Sequence, residues 1–375
     1  MRLVIAGGGT GGHLFPGIAV AEEFLARDSA SEVLFVGTER GIEARVVPAA
    51  GYHLELISAA GIRGKSSLSQ IKGALMMLYG YSQSRRILKN FRPDLVLGVG
   101  GYASLPMVLA SRGMLIPRFI HEQNAIPGMT NKLLARFVDR VFITLEESAK
   151  FFPKDKVLLT GNPLRRQILE QAAKSAGGEP RCGGKGRFRL LIFGGSQGAH
   201  AINMAVMAAL PFLERIRDKL EIVHQTGATD AEIVAEAYRR HGFDGAAKPF
   251  IDDMATAYER ADLIICRAGA TTIAEVTATG KTCIFIPFPD AVDDHQRRNA
   301  EALLKKQACY MLLEQELNGE KLAGMVAELI NDPDAVSRTG KLAFSMARLD
   351  AAKIIVDEML NTENPPQRHR DTEKN

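Results

Sequence analysis

Two stretches decide the fold: Gly7-Gly8-Gly9-Thr10-Gly11-Gly12-His13 and, far downstream, Gly194-Gly195-Ser196-Gln197-Gly198-Ala199. Each follows an apolar, strand-like run (Arg2 to Ala6, Phe188 to Phe193) and each opens a helical pattern. A glycine turn of this kind lets the next helix aim its unpaired N–H groups and positive dipole end at whatever fills the gap. Two such turns imply two α/β domains facing one anionic, phosphate-bearing ligand.

Working outward, strand-like runs near 2–6, 32–37, 53–57, 94–98, 118–121, 139–143 and 156–160 alternate with helical patterns, notably Leu14–Arg27, Leu68–Asn90 and Met129–Phe137. A second alternating set has strands near 188–193, 220–224, 262–265 and 283–286. Alternation predicts parallel sheets wrapped by helices. The chain of 375 residues exceeds one ordinary core. The expected fold is therefore α/β: two tandem Rossmann-like, doubly wound domains with a deep cleft between them, ligand lying at the strands' carboxyl ends. The boundaries expected are 1–163 and 164–344, with Gln171 to Arg187 as a loop or linker. A helical pattern from about Ala335 to Leu360 is expected to cross back, its last part (about 345–360) joining the first domain. Residues 361–375 are polar and proline-bearing, with no apolar period, and read as a disordered tail.

Composition narrows the class. The chain is 46% apolar, and no run approaches the ~20 apolar residues that span a bilayer. Its start is a strand leading into a glycine turn rather than a cleavable leader, which reads as cytoplasmic. The four cysteines (Cys182, Cys266, Cys283, Cys309) have no metal-site spacing and read as reduced, structural thiols. A net charge of +4 without a recognition motif gives no case for nucleic acid. The distribution of charge says more. Between Glu55 and Asp94 there is no acidic residue, yet Arg63, Lys65, Lys72, Arg85, Arg86, Lys89 and Arg92 all occur. Leu68, Ile71, Leu75 and Tyr79 follow helical spacing in that stretch, and Met76, Met77, Leu78 and Tyr81 exceed one core-facing stripe. Two readings stand: a helix lying on an anionic membrane surface, at roughly 1 kcal/mol per basic residue, or a buried helix with a solvated basic end.

Gly7-x-Gly9-x-x-Gly12 satisfies the dinucleotide fingerprint, with Glu39 as the ribose acid, and alone would suggest a nicotinamide-dependent dehydrogenase. Against this, His13 puts an imidazole in the first helical turn, and one dinucleotide does not require the second glycine loop.

Seven motifs occur in order: Gly-Gly-Gly-Thr-Gly-Gly-His (7–13), Gly-Gly-Tyr (100–102), His-Glu-Gln-Asn (121–124), Gly-Asn-Pro-Leu-Arg (161–165), Gly-Gly-Ser-Gln-Gly-Ala (194–199), Cys-Arg-Ala-Gly-Ala (266–270) and Asp-His-Gln-Arg-Arg-Asn-Ala (294–300). Together they make the chain resemble the MurG-type glycosyltransferases of family 28, over nearly its whole length. The resemblance implies a GT-B fold and an inverting hexosyltransferase at the cytoplasmic face of the bacterial inner membrane. It also implies GlcNAc transfer from UDP-GlcNAc to the MurNAc 4-hydroxyl of undecaprenyl-diphosphate-MurNAc-pentapeptide (lipid I), giving lipid II. Anionic membrane and other wall-synthesis proteins are the further partners it allows.

The residues fit those roles chemically. The departing diphosphate gathers negative charge, which the N–H groups of Gly194–Ala199 and the Ser196 hydroxyl can meet; Ser196 also suits a helix N-cap. By the resemblance, Arg165 lies near the diphosphate, Glu275 grips ribose, Ala270, Thr271 and Thr272 line the nucleotide, and the Ile251 backbone reads uracil. Gln296, one face of a helix with Asn299, is expected to hold the GlcNAc, and Asn124 to lie near it. Position 295 carries His where some relatives have Gln, which leaves its role open. Thr10, Gly11 and Gly12 should approach the substrates closely, and Tyr102 should border the acceptor, with Leu105 where many relatives have Gly. A hydroxyl nucleophile needs a base, and His13 is the candidate, since a helix N-terminus favours neutral imidazole. Orienting the loop, or bonding a diphosphate oxygen, is the alternative for His13. The pairs Asp252-Asp253 and Asp293-Asp294 read as helix starts rather than metal ligands; no metal or other cofactor is required, with Mg²⁺ as an optional helper. The competing functions are the dehydrogenase, a non-hydrolysing sugar-nucleotide epimerase, and a silent sugar-nucleotide-binding scaffold.

Overall fold

A computed structural model describes residues 1–39, 41–59, 67–176, 186–195 and 197–363. Ser196, Arg63, Lys65, most of the expected linker and the tail from 364 lie outside these residues.

The chain divides into two compact units. The first holds Met1–Gln123, Pro127–Pro163 and the chain from Asp350; the second holds Asn124–Ile126 and Leu164–Leu349. In the first, β1 (Arg2–Gly7), α1 (Gly11–Arg27), β2 (Glu32–Gly37), α2 (Glu43–Ala49), β3 (His53–Leu56), α3 (Ser67–Phe91), β4 (Leu95–Gly100), α4 (Ser104–Arg112), β5 (Arg118–Glu122), α5 (Met129–Leu134), β6 (Arg140–Ile143) and β7 (Val157–Leu159) follow one another. In the second come α6 (Arg166–Ala176), β8 (Phe188–Phe193), α7 (His200–Leu213), β9 (Leu220–Gln225), α8 (Ala231–His241), β10 (Gly245–Lys248), α9 (Met254–Arg260), β11 (Leu263–Cys266), α10 (Ala270–Thr279), β12 (Thr282–Phe285), α11 (His295–Leu304), β13 (Tyr310–Met311), α12 (Gly319–Asn331) and α13 (Pro333–Ser345). The last helix, α14 (Ala351–Glu363), belongs to the first unit.

Both sheets are parallel, and both are doubly wound. Their orders are β3-β2-β1-β4-β5-β6-β7 and β10-β9-β8-β11-β12-β13. Helices cover both faces, so the central strands are apolar on both sides: Leu3 to Ala6, Leu95 to Leu97 and Leu190 to Phe193 are all buried. In each sheet the order reverses beside the first strand, between β1 and β4 and between β8 and β11. The crevice outside the carboxyl ends at such a point is where open α/β sheets bind ligands. Each glycine turn follows the first strand of its own sheet and so sits at that point.

Three readings need correcting. Strands β10 and β13 were not anticipated; both are edge strands, of four and two residues, too short for a period to register. The pattern from Ala335 to Leu360 is two helices, not one. Asp332 caps α13 by accepting from Ala335 N–H (2.9 Å), with Pro333 at its first turn, and the chain is non-helical again before Ala351. Residues 361–363, assigned to the tail, continue α14. That helix buries Ile355, Val356 and Met359 in the cluster holding Leu14, Ile18 and Ala21 of α1. Arg27–Asp357 (2.9 Å) and Arg140–Glu358 (2.7 Å) flank it.

Gly198 shows what the second turn demands. It has φ +78°, and a Cβ there would sit 1.9 Å from the Thr226 carbonyl oxygen. Gly198→Ala should therefore cost about 2 kcal/mol or more. Gly324, inside α12 with open space around it, should instead gain roughly 0.5–1 kcal/mol on replacement by Ala. Denaturant unfolding of the two variants checks this, with opposite signs expected.

Candidate active site

In the first unit, α1 begins at Gly11 with Thr10 as its N-cap residue, whose carbonyl accepts from His13 and Leu14 N–H (3.3 and 3.2 Å). The Thr10 side chain makes no capping bond and is exposed. A Cβ on Gly11 would meet the Phe15 ring at 2.9 Å, whereas one on Gly12 would meet nothing nearer than 3.7 Å. Glu43, fully buried at the start of α2, accepts from Gly9 N–H (2.8 Å), Thr38 N–H (2.9 Å) and the Thr38 hydroxyl (3.0 Å). A carboxylate already holds the N–H of Gly9. A dinucleotide's pyrophosphate on this loop would meet that negative charge, which disfavours the dehydrogenase reading. Glu39, its ribose acid, is merely exposed beyond β2.

His13 is half-buried, with Nδ1 2.9 Å from Gln123 Oε1. Gln123 is buried, and its Nε2 reaches the Val99 carbonyl (2.9 Å) and His121 Nδ1 (3.0 Å). His121 Nε2 lies 3.1 Å from the Gly161 carbonyl. Burial lowers the His121 pKa to about 4, so its ring is neutral at ordinary pH. Tyr102 is exposed after β4, and Leu105 packs against the core of the first unit, so its side chain is structural.

In the second unit, helix α10 starts behind N-cap Gly269. Ala270, Thr271 and Thr272 form its first turn, ahead of the Ile273 N–H bond to the Gly269 carbonyl (2.9 Å). This is the geometry that favours an anion or a polar ring at a helix start. Glu275, one turn on and buried, receives Arg165 on Oε1 (2.7 Å) and the Tyr258 hydroxyl on Oε2 (2.9 Å). Burial, then the nearby Glu275 charge, pushes the Tyr258 phenol well above its ordinary pKa, so it remains a donor. The structure thus joins the two residues assigned separately to diphosphate and ribose. A carboxylate has about four lone-pair sites, so both assignments are compatible with this pair.

Several expected contacts take a more defined form. Ile251 N–H donates to Gln225 Oε1 (2.8 Å), and Gln225 Nε2 donates to the Gly195 carbonyl (2.7 Å). The Ile251 N–H is thereby engaged within the protein. Gln296 Oε1 accepts from Ala268 N–H (3.2 Å) and Phe288 N–H (3.0 Å). Its oxygen is thereby committed, and its amide donors are what it can offer a sugar. Asn299 is buried, taking Ala125 N–H (2.9 Å) and donating to Asn124 Oδ1 (3.2 Å), all within the second unit. It also donates to the Ala268 carbonyl (3.4 Å), so it holds Asn124 against the same loop that Gln296 engages. His295 Nδ1 donates to the Val292 carbonyl (2.7 Å), closing the turn in which Asp293 and Asp294 are left-handed (φ +54° and +55°). Asp253 caps α9 through Thr256 N–H (3.0 Å), while Asp294 makes no side-chain cap. Glu43, Gln225 and Tyr258 were not anticipated; an isolated Glu, Gln or Tyr carries no spacing that distinguishes it.

The chain matches the Glycosyltransferase family 28 N-terminal domain over residues 3–143 and the family's C-terminal domain over residues 189–355. It is 65% identical to a protein of Pelobacter propionicus named UDP-N-acetylglucosamine--N-acetylmuramyl-(pentapeptide) pyrophosphoryl-undecaprenol N-acetylglucosamine transferase, over 97% of this chain and 100% of that one. A protein of the same name from Geobacter sulfurreducens is 64% identical, over 96% and 98%. Among solved structures, MurG of Acinetobacter baumannii superposes with a TM-score of 0.77 at 31% identity, covering 96% of this chain and 99% of that one. A UDP-GlcNAc 2-epimerase from Neisseria meningitidis, at 14% identity and TM-score 0.66, shares the fold.

The Arg165–Glu275–Tyr258 group yields a direct test. Arg165→Met leaves a buried carboxylate without its cation and should destabilise by roughly 1–3 kcal/mol, less than for a fully buried pair because Arg165 is partly exposed. Adding Glu275→Gln should recover part of the loss in denaturant unfolding. A double variant no more stable than Arg165→Met would contradict the pairing.

Proposed function

The chain belongs to glycosyltransferase family 28, and from that premise we propose that it is an inverting hexosyltransferase of GT-B fold. It moves GlcNAc from UDP-GlcNAc to the MurNAc 4-hydroxyl of lipid I, forming lipid II for peptidoglycan. The observation that carries this reading is 65% identity along 97% of the chain with a transferase of that name. In this reading the first turn of α10 receives the uridine diphosphate, with Arg165 and Glu275 beside it, and Gln296 donates to the sugar. Departure of the diphosphate needs charge stabilisation, which helix N–H groups and an arginine supply without requiring a metal. Ser196 and the Gly194–Ala199 turn are assigned to the same diphosphate. Attack by the acceptor hydroxyl needs a base, and His13 fills that role. Release of UDP should depend on added lipid I; a scaffold would bind UDP-GlcNAc and release none, and an epimerase would not need the lipid.

Helix α3 supports a peripheral position on the cytoplasmic face of the inner membrane. No described helix is long and apolar enough to cross a membrane. On α3, Gly80, Ser84 and Leu88 are buried, while Leu75, Leu78 and Tyr79 are 61%, 68% and 61% exposed. Arg85, Arg86 and Lys89, about two to four turns on, are exposed as well. Of the two readings of this stretch, an exposed apolar stripe beside basic residues favours an anionic surface over a buried helix with a solvated basic end.

Two outcomes are expected. His13→Ala should keep UDP-GlcNAc affinity, by calorimetry, while turnover falls about 10²-fold or more; near-normal turnover would remove the base assignment. Leu75→Glu with Leu78→Glu should sharply reduce co-sedimentation with phosphatidylglycerol vesicles while leaving UDP-GlcNAc binding intact, and unchanged sedimentation would reject docking through α3.

A further inference from the structure

A histidine accepts a proton only through a ring nitrogen that carries none, and neutral imidazole has two tautomers. The tautomer of His13 is decided by a chain of hydrogen bonds that starts in the core of the first unit. The Gly161 carbonyl can only accept, so the His121 Nε2 that faces it at 3.1 Å carries the proton, with the Thr144 hydroxyl at 3.4 Å as a weaker second acceptor. His121 is buried and neutral, so its Nδ1 is bare and accepts from Gln123 Nε2 at 3.0 Å. The other hydrogen of that amide goes to the Val99 carbonyl at 2.9 Å. Turned over, the Gln123 carboxamide would set its oxygen against two acceptors, which fixes its orientation. Gln123 Oε1 therefore faces His13 and takes the proton of Nδ1 at 2.9 Å. Space for this contact exists because residue 100 is glycine: a Cβ there would lie 2.7 Å from His13 Nδ1.

We propose that His121 and Gln123 form a tautomer relay, anchored on the Gly161 and Val99 carbonyls, that holds His13 with its proton on Nδ1 and its Nε2 bare. Both are positioning residues for removal of the acceptor's proton, and the proposal rests on His13 being the base. A carboxylate in place of Gln123 would fix the same tautomer but would also stabilise the imidazolium, which cannot accept a proton. The neutral amide selects the tautomer without that cost. The relay also gives the buried pair in His-Glu-Gln-Asn (121–124) a task in the chemistry without touching substrate.

The test uses the full-length enzyme with nitrogen-15-labelled histidine, His13 signals being assigned by their loss in His13→Ala. In the wild type, Nδ1 should give the protonated signal and Nε2 the bare one. Gln123→Leu, which keeps bulk but loses the acceptor, should show a mixture or reversal. Its kcat should fall about 10- to 100-fold with KM for UDP-GlcNAc little changed. Gln123→Glu keeps an acceptor for Nδ1–H and should retain the wild-type tautomer and more activity than Gln123→Leu. A merely structural role for Gln123 predicts the reverse order, because Glu buries a charge against the Val99 carbonyl. A protonated Nε2 in the wild type, or an unaltered tautomer in Gln123→Leu, would overturn the relay. Full activity in His13→Ala with the expected tautomer would instead show that the base assignment had failed, and would remove the relay's catalytic meaning.

Discussion

A parallel sheet sends every strand's carboxyl end to the same edge, and both glycine-rich turns of this protein are built on that constraint. At the point where strand order reverses, the flanking helices leave on opposite faces and open a crevice. In the first unit that point lies between β1 and β4, with the Gly7–Gly12 turn and His13 just beyond it. In the second it lies between β8 and β11, and the segment after β11 leads straight into α10. Ser104 secures the first of these edges, donating to the Ala6 carbonyl (2.7 Å) while accepting from Gly100 N–H (3.0 Å). The turns are precise because the strands behind them are buried on both faces and cannot slip register without exposing apolar side chains.

The long central strands and both glycine turns were legible because doubly buried strands and φ-positive turns leave composition signatures: unbroken Val, Leu and Ile runs ended by Gly. Edge strands β10 and β13 left none, being short and half-covered. The break between α13 and α14 was invisible because apolar period continues through both helices, while Pro333 and Asp332 mark a start rather than an end. For the site, position along the chain was legible and partnership was not. Arg165 and Glu275 are separated by most of a domain in sequence, so nothing in spacing could reveal their 2.7 Å contact. Likewise Gln296 and Asn299 share a helix face and both reach the Ala268 backbone, yet one is otherwise committed to Phe288 N–H and the other to Asn124 and Ala125. The i, i+3 relation fixes direction; burial decides what a side chain can offer.

Glu275 illustrates what burial demands of a carboxylate. Removed from water, its carboxylate needs donors whether or not ligand is bound. Arg165 and Tyr258 supply them, one to each oxygen. Both oxygens are thereby held in place without any ligand.

Carboxamides do most of the remaining positioning, and their neutrality explains why. Gln123, Gln225, Gln296 and Asn299 each accept through oxygen from a group at a strand's carboxyl edge or in a neighbouring loop. A carboxylate could accept as well, but buried there it would carry a charge that needs further donors. A buried neutral imidazole completes the pattern in each unit. His121 works through Gln123, and His224, its pKa lowered by burial to about 3, works through Asn203 Oδ1 (3.0 Å) and the Tyr238 hydroxyl (2.8 Å). Asn203 passes the constraint on by donating to the Thr226 carbonyl (2.8 Å), the oxygen that forbids a side chain at Gly198. In both units, then, an uncharged His–carboxamide pair beneath the sheet edge sets the geometry of the glycine-rich surface above it.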